Sequence, residues 1–243
     1  MNLFQGTVKI ESIDTVAKTT KKFRFSVENF ASLDEKTKGS GKLPFIAGQF
    51  ISLQFTKRAW RAYSIASHPN KNLIELIIRI VPNGVGSTIL DKAIVNDTFP
   101  FKGPFGHFFL SENPKANLIF LGTGTGIAPL RSMILEELKQ KNPRTMKLFY
   151  GGRQADDIAY LDEVKMWHPE KVKVRLGLSQ ESKPSEIYDY AEHCRITKFL
   201  EENDFDKNSE FYICGNGAMV KSSQEILHEK GVAAERIFME RFN

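Results

Sequence analysis

The run from Leu118 to Leu130 limits what this chain can fold into more than any other. It reads Leu118-Ile119-Phe120-Leu121 and then Gly122-Thr123-Gly124-Thr125-Gly126-Ile127-Ala128-Pro129-Leu130. Four apolar residues in a row predict a strand buried on both faces. The glycines permit a tight turn with no Cβ in the way, and Pro129 suits the first turn of a helix. Apolar residues then recur at helical spacing, at Ile127, Leu130, Ile134, Leu135 and Leu138. Strand, glycine turn and helix start together aim backbone N–H groups and a positive dipole end at an anion, most often a pyrophosphate. The spacing also excludes something. The common dinucleotide fingerprint is G-x-G-x-x-G, with an acid about 20 residues on to hold the ribose. Here the run is G-x-G-x-G and position 127 is isoleucine. The next strand, Lys147-Leu148-Phe149-Tyr150, ends in Gly151-Gly152-Arg153 with no acid at its tip. A nicotinamide nucleotide site of a different kind is expected.

Beyond this run the pattern is α/β. Strands are expected near 147–150, 172–178, 210–214 and 236–239, and helices near 157–166, 196–202 and 218–230. That alternation implies a mainly parallel sheet covered on both faces, with ligand at the carboxyl ends of its strands. The 122–126 and 214–217 segments both fall at such ends and could line one crevice.

The preceding half alternates differently. Val8-Lys9-Ile10-Glu11 and Phe23-Arg24-Phe25-Ser26-Val27 read as strands, with more at 50–55, 62–65, 73–81 and 98–101 and one short helix over 87–93. The charged, glycine-rich stretch 34–42 reads as a surface loop. Many short strands with one short helix predict an antiparallel barrel or sandwich. Two spots here carry chemistry. In Arg61-Ala62-Tyr63-Ser64, strand geometry points Arg61 and Tyr63 the same way, a bidentate phosphate donor beside a flat stacking ring. In Arg79-Ile80-Val81-Pro82-Asn83-Gly84-Val85-Gly86-Ser87-Thr88 the logic of strand, glycine turn and helix start repeats, with Ser87 or Thr88 as capping or phosphate-binding hydroxyls. Two anion cradles, one in each half, suggest two nucleotides meeting.

At 243 residues the chain suits one large or two modest domains. The boundary is expected between a 1–112 unit and a 113–243 unit. No apolar run is long enough to span a bilayer, and Met1 to Ile10 lacks the apolar core of a signal peptide, so a cytoplasmic protein is expected. Two cysteines, Cys194 and Cys214, cannot build a four-thiolate cluster or a disulfide framework, and no metal is expected. The net charge of +5 is uneven: residues 1–112 hold 15 Lys+Arg and 9 Asp+Glu, the remainder 19 and 20. A mildly basic first half steers acidic partners or anionic cofactors. No basic helix or aromatic-basic alternation points to nucleic acid.

Taken in order, Arg61-Ala62-Tyr63-Ser64, the glycine–serine turn from Gly84 to Thr88, the 122–129 run and Cys214-Gly215-Asn216-Gly217 resemble the ferredoxin–NADP(+) reductase superfamily. The similarity extends from about residue 4 to the end of the chain. It implies an N-terminal antiparallel β-barrel holding FAD and a C-terminal α/β parallel-sheet domain holding NADH or NADPH. By that resemblance Arg61 contacts the FAD pyrophosphate, with Ala62 beside it, Tyr63 stacks on the isoalloxazine, and Ser64 lies within reach of flavin N5. Arg79, Ile80 and Val81 line the ribityl and adenosine side, while Gly86, Ser87 and Thr88 hold the pyrophosphate. Gly122, Thr123, Gly124, Thr125 and Gly126 receive the nicotinamide dinucleotide. Cys214 and Gly215 lie beside the nicotinamide, Glu240 supplies a carboxylate near the flavin, and Phe242 covers the isoalloxazine face opposite Tyr63. Many relatives end at that aromatic, whereas Asn243 follows it here. The 103–108 segment resembles the family's inter-domain loop, and His107 and His68 read as surface or loop residues rather than proton donors.

The resemblance implies an FAD-dependent oxidoreductase that takes hydride from NAD(P)H onto flavin N5, with Ser64, Cys214 and Glu240 tuning the contact. Electrons then pass singly to an acidic ferredoxin or flavodoxin, and the reductase itself is expected to be a monomer. Where NADP-specific relatives carry Ser-Arg, this chain has Ser179-Gln180; Arg153 or Lys183 is left to compensate, and NADH is slightly favoured. Two alternatives stand beside this one. The first is a diaphorase, flavin reductase or oxygenase reductase component; the second is a non-catalytic nucleotide-binding redox sensor.

Overall fold

A computed structural model describes residues 3–32, 38–167, 171–206 and 208–242. By contact the chain divides into two compact units, Met1–Leu110 with Arg131–Glu136, and Ser111–Leu130 with Glu137–Asn243.

The first unit holds β1 (Phe4–Ala17), β2 (Thr20–Ser32), β3 (Lys38–Gly41), β4 (Phe50–Thr56), β5 (Ala59–Ser64), β6 (Ile74–Arg79), α1 (Val85–Lys92) and β7 (Thr98–Phe105). Its pairings are antiparallel, in the order β3-β2-β1-β7-β4-β5, with β6 pairing β2 over Thr20–Phe25, ahead of the stretch that β3 pairs. Ile65, just past β5, forms an antiparallel bridge to Leu76 of β6, and the Ala66 N–H donates to the Glu75 carbonyl at 2.8 Å. That bridge draws the two ends of the curled sheet together. Register shifts along β1–β2 supply the curl, since an extra residue on one strand bends it and increases its twist. Alternate residues of β2, Phe23, Phe25 and Val27, face a core shared with Val8, Ile10, Ile51, Leu53 and Phe101.

The expected 34–42 loop is corrected in part: Lys38–Gly41 is a strand, pairing Gly39 with Phe30 and Gly41 with Val27. A run of Lys, Gly and Ser has low strand propensity, so pairing to β2 decides the matter. Residues 34–37 lie outside the described set.

The second unit holds β8 (Asn117–Thr123), α2 (Ile127–Glu137, shared with the first unit over Arg131–Glu136), β9 (Met146–Gly152), α3 (Leu161–Trp167), β10 (Val172–Leu178), β11 (Ala191–Glu192), α4 (Thr197–Glu202), β12 (Ser209–Asn216), α5 (Gly217–Glu229) and β13 (Ile237–Phe242). All pairings in its sheet are parallel, in the order β11-β10-β9-β8-β12-β13. β12 is buried from Ser209 through Gly215, the continuous burial of a strand covered on both faces. From β8 the chain winds outward through β9, β10 and β11, then returns to lay β12 and β13 on the opposite side. The order therefore reverses between β8 and β12, and in open α/β sheets ligands bind outside the carboxyl ends of the strands at such a switch point. The helix expected over 157–166 is shorter, because Tyr160 has φ +61° and α3 starts only after it.

Candidate functional site

In the second unit, the two glycine segments meet at the switch point. β8 runs out at Thr123, a 3-10 turn spans Gly124–Gly126, and α2 begins at Ile127. A Cβ on Gly126 would lie 2.3 Å from the Cys214 carbonyl oxygen and 2.8 Å from the Gly215 Cα. Only glycine lets the turn approach β12 this closely. Thr123 Oγ1 accepts the Asn216 N–H at 3.2 Å, and Asn216 Oδ1 accepts the Ala218 N–H at 3.0 Å, capping α5. Two helix N-termini thus open on one crevice. Gly124, exposed, has φ +55° and faces open space, while Tyr150 Oη donates to its carbonyl at 3.0 Å. Thr125 is half-buried.

Sheet register puts Tyr150, Gly122, Cys214 and Glu240 in one row across four strands, and Phe242 opposite Asn216. Cys214 is fully buried; burial pushes its thiol well above the usual range, and the Glu240 charge adds to the rise. Cys194 is raised by burial and by Glu192, but it is only partly buried. Treatment of the native protein with a thiol reagent is therefore expected to modify Cys194 first, with Cys214 reacting only as the fold opens. Equal rates for the two, read by peptide mapping, would contradict this. Asn243 lies outside the described residues.

Arg153 is exposed just past β9, and Ser179 follows β10 with its N–H donating to the Gly152 carbonyl at 3.1 Å. The Gln180 N–H donates to the Arg153 carbonyl at 2.7 Å, which joins the two loops. A carboxylate missed in the sequence sits here. Asp157 Oδ2 accepts the N–H groups of Arg153 and Gln154, both at 3.1 Å, and Glu181 Oε2 lies 3.4 Å from the Ala155 N–H. The tip of β9 thus acquires an acid five residues beyond Gly152. No sequence signal marks it, since Gln154-Ala155-Asp156-Asp157 lacks the Ser/Thr-x-x-Glu/Gln pattern of a capping box. Lys183 pairs with Glu186 at 2.8 Å.

In the first unit, Arg61 and Ala62 are exposed, Tyr63 is half-buried and Ser64 buried. The Tyr63 ring meets Phe55 edge-on, 6.2 Å between centroids. Burial pushes its phenol up to about 12, and the nearby Arg61 charge offsets part of that rise. Arg61 Nη1 also donates to the Trp60 carbonyl at 2.8 Å. A Cβ on Gly86 would lie 2.6 Å from Tyr63 Oη, so a glycine here lets the start of α1 close on the tyrosine. No side chain caps α1 at Gly84, which leaves its first N–H groups open to an acceptor. Ser87 Oγ turns inward and donates to the Val81 carbonyl at 3.0 Å, whereas Thr88 is exposed. Arg79 and Val81 are exposed on the approach to this turn, with Ile80 half-buried between them. His107 is exposed. His68 is not a surface residue: it is buried, accepts the Asn70 N–H at Nδ1 (2.9 Å), and its Nε2 lies 3.1 Å from Glu136. Among the described residues no group of three or more His, Cys, Asp and Glu could hold a metal ion, and no helix is long and apolar enough to cross a membrane.

Both units fit the groups expected of them. The first offers an uncapped helix start beside an arginine and an aromatic ring; the second offers glycine turns that keep side chains out of the crevice. Residues 7–110 match the oxidoreductase FAD-binding domain family, and residues 120–225 the oxidoreductase NAD-binding domain family. The chain is 28% identical over 211 residues to the anthranilate 1,2-dioxygenase electron transfer component of Acinetobacter baylyi, covering 83% of this chain and 59% of that protein. It therefore spans less than two thirds of that relative's length. The Amycolatopsis cytochrome P450 reductase GcoB superposes with a TM-score of 0.84 at 25% identity, covering 99% of this chain and 70% of that one. A ferredoxin NADP+ reductase from Neisseria gonorrhoeae with bound FAD and NADP shares the fold at a TM-score of 0.82, with 22% identity and 98% of each chain covered. With an FAD-binding domain followed by an NAD-binding domain, the chain belongs to the ferredoxin–NADP(+) reductase superfamily of flavoprotein oxidoreductases.

Proposed function

We propose that this chain is an FAD-dependent reductase that takes hydride from NADH and delivers electrons singly to a protein acceptor of the ferredoxin or flavodoxin type. The observation that carries the reading is one chain holding both domains, with the glycine turns of the second meeting at the sheet's switch point. FAD supplies the chemistry when bound, accepting electrons as a pair and releasing them one at a time. Arg61 and the open N–H groups of α1 neutralise its pyrophosphate, aided by the Thr88 hydroxyl. Ser87 acts through its backbone, since its hydroxyl holds the turn. Tyr63 offers a flat, neutral ring, and Ser64 a hydroxyl at the reacting edge. In the second unit the 122–126 turn and the start of α5 bind the dinucleotide phosphates. Cys214 stays a protonated, uncharged thiol and sets no fixed charge against the nicotinamide, while Glu240 and Phe242 complete that edge.

The coenzyme preference follows from the loops after β9 and β10. Asp157 and Glu181 stand there with Arg153 and Ser179, and a ribose phosphate would meet their negative charge. Anaerobic mixing of the FAD-loaded protein with either coenzyme tests both points. Bleaching of the yellow flavin band is expected with NADH, roughly tenfold faster than with NADPH, the ~1.4 kcal/mol of one unfavourable carboxylate–phosphate contact. Equal rates would remove the coenzyme preference. No bleaching with either would remove the reductase reading and leave a nucleotide-binding sensor. A second reading, the reductase component of an oxygenase, is favoured by the names of the Acinetobacter and Amycolatopsis relatives. It predicts fast reduction of small acceptors and slow reduction of ferredoxin.

A further inference from the structure

Tyr150 lies near the end of β9, opposite Gly122 of β8 in the sheet register. It is fully buried, yet its hydroxyl reaches two backbone groups outside the sheet. It donates to the Gly124 carbonyl at 3.0 Å and accepts the Ala159 N–H at 3.1 Å. Gly124 belongs to the glycine turn, and Ala159 lies two residues past Asp157. Packing alone does not call for this hydroxyl. Phe120, Phe149 and Phe211 fill buried positions of the same sheet with bare rings, and phenylalanine would fill this one. A buried hydroxyl needs partners, and here its proton and a lone pair are both used. Burial pushes the phenol well above its usual range; the Ala159 N–H offsets part of that rise and the Asp157 charge adds to it, so the hydroxyl stays a proton donor.

The bond to Gly124 has a direction. In a trans peptide the C=O and the following N–H point opposite ways. The Gly124 carbonyl is held by Tyr150 and by the Ile127 N–H, so the Thr125 N–H is aimed away from the buried phenol. Gly124 itself is exposed, and a Cβ there would meet nothing within 4 Å, so the turn borders open space. At the other end the loop packs tightly on the strand tip. A Cβ on Gly152 would lie 3.0 Å from Ile158 Cδ1 and 3.1 Å from Asp157 Cβ.

We infer that Tyr150 is a positioning residue of the coenzyme site: its hydroxyl aims the Thr125 N–H of the glycine turn and ties that turn to the loop carrying Asp157. The inference rests on the coenzyme reading above, in which the phosphates meet the 122–126 turn and the adenosine ribose meets the loops after β9 and β10. A dinucleotide spans both places. One phenol bonded to both keeps the two subsites at a fixed separation, and a chain of N–H to O–H to C=O strengthens each bond in it.

The test titrates the oxidised, FAD-loaded protein with ADP-ribose and with its 2′-phosphate, then measures turnover with NADH and ferricyanide. Tyr150→Phe is expected to weaken ADP-ribose about tenfold and the 2′-phosphate by less, so the preference between the two narrows. In turnover the KM for NADH should rise about tenfold with kcat within about twofold of the parent, the pattern of lost binding rather than lost chemistry. Asp157→Asn should narrow the same preference in the parent and change it little in Tyr150→Phe, because the loop is already released. Tyr212→Phe is the structural control. It also removes a buried hydroxyl, one that accepts the Ser111 N–H at 2.9 Å and donates to Glu210 at 3.0 Å, and it should lower the melting temperature without moving either affinity. Should Tyr150→Phe not fold, hydrogen exchange of the parent decides: the Ala159 amide should exchange more slowly once ADP-ribose is bound, and no change would overturn the proposal. Unchanged binding of both probes by a folded Tyr150→Phe would overturn the positioning role and leave the reductase reading standing. An equal loss of both probes, with the preference intact, would make Tyr150 a stabilising residue only and overturn it as well. If NADH fails to bleach the parent, the reductase reading falls, while the ADP-ribose titrations still decide the role of Tyr150.

Discussion

Gly126→Ala is expected to lower the thermal midpoint by roughly 10 °C, about 3 kcal/mol at the usual 2–4 °C per kcal/mol for a chain of this size. The added Cβ would lie 2.3 Å from the Cys214 carbonyl oxygen, 2.6 Å from its carbon and 2.8 Å from the Gly215 Cα. All three are backbone atoms of β12, held on one side by β8 and on the other by β13. No rotamer change can relieve the clash, so the turn or the strand must move. Overpacking of this kind costs about 1–3 kcal/mol even where side chains absorb part of it. The same movement breaks the crevice, so NADH binding should be lost while FAD, assigned to the other unit, is retained. Gly124→Ala is the control. Its Cβ meets nothing within 4 Å, and its φ of +55° costs about 1 kcal/mol in a left-handed conformation. That variant should melt close to the parent and still lose NADH affinity, because its methyl group projects into the open space over the turn. A Gly126→Ala protein that melts and binds NADH like the parent would remove the 122–126 turn from the coenzyme site.

The backbone pattern of the second unit was legible because five of its six strands signal locally, the two-residue β11 at Ala191–Glu192 being the one that does not. Leu118 to Leu121 is a two-sided apolar strand, and the glycines after it leave little choice but a turn. The 172–178 strand has the bounds its alternation predicts. Less was legible wherever tertiary pairing overrides composition. Lys38–Gly41 becomes a strand only because β2 presents an open edge to it. Asp157 was hidden because its carboxylate reaches the tip of β9 through a folded-back turn, which periodicity does not report. Ser87 was legible as a hydroxyl at a helix start, but its direction was not: the same motif serves a hydroxyl bonding outward to a ligand or inward to Val81. His68, next to a proline, does lie in a loop, but not at the surface: its ring is buried between the Asn70 amide and Glu136. In each case the residue type was visible, and the partner that fixes its role lies far away in sequence or inside a turn.

Tyr63→Ala is expected to emerge from purification without bound FAD, its Kd raised about 100-fold, or ~2.7 kcal/mol. Two losses contribute. The stacking surface disappears, worth about 0.5–1.5 kcal/mol beyond the apolar area it covers. The space it leaves also borders the Phe55 ring and the backbone at Gly86, against which the start of α1 is set. With the ring gone, α1 can shift, and the N–H groups that should meet the pyrophosphate lose their fixed direction. Tyr63→Phe separates these effects from any role of the hydroxyl. Because burial holds the phenol near 12, it is neutral at pH 10 and below, so the parent and Tyr63→Phe should bind FAD alike across pH 6 to 10. A pH-dependent gap between them below pH 10 would mean that the phenol ionises earlier than its burial allows. Full FAD retention by Tyr63→Ala would be the more damaging result. It would show that β5 and the start of α1 do not form the flavin cradle, and the proposed site would have to be sought elsewhere in the FAD-binding domain.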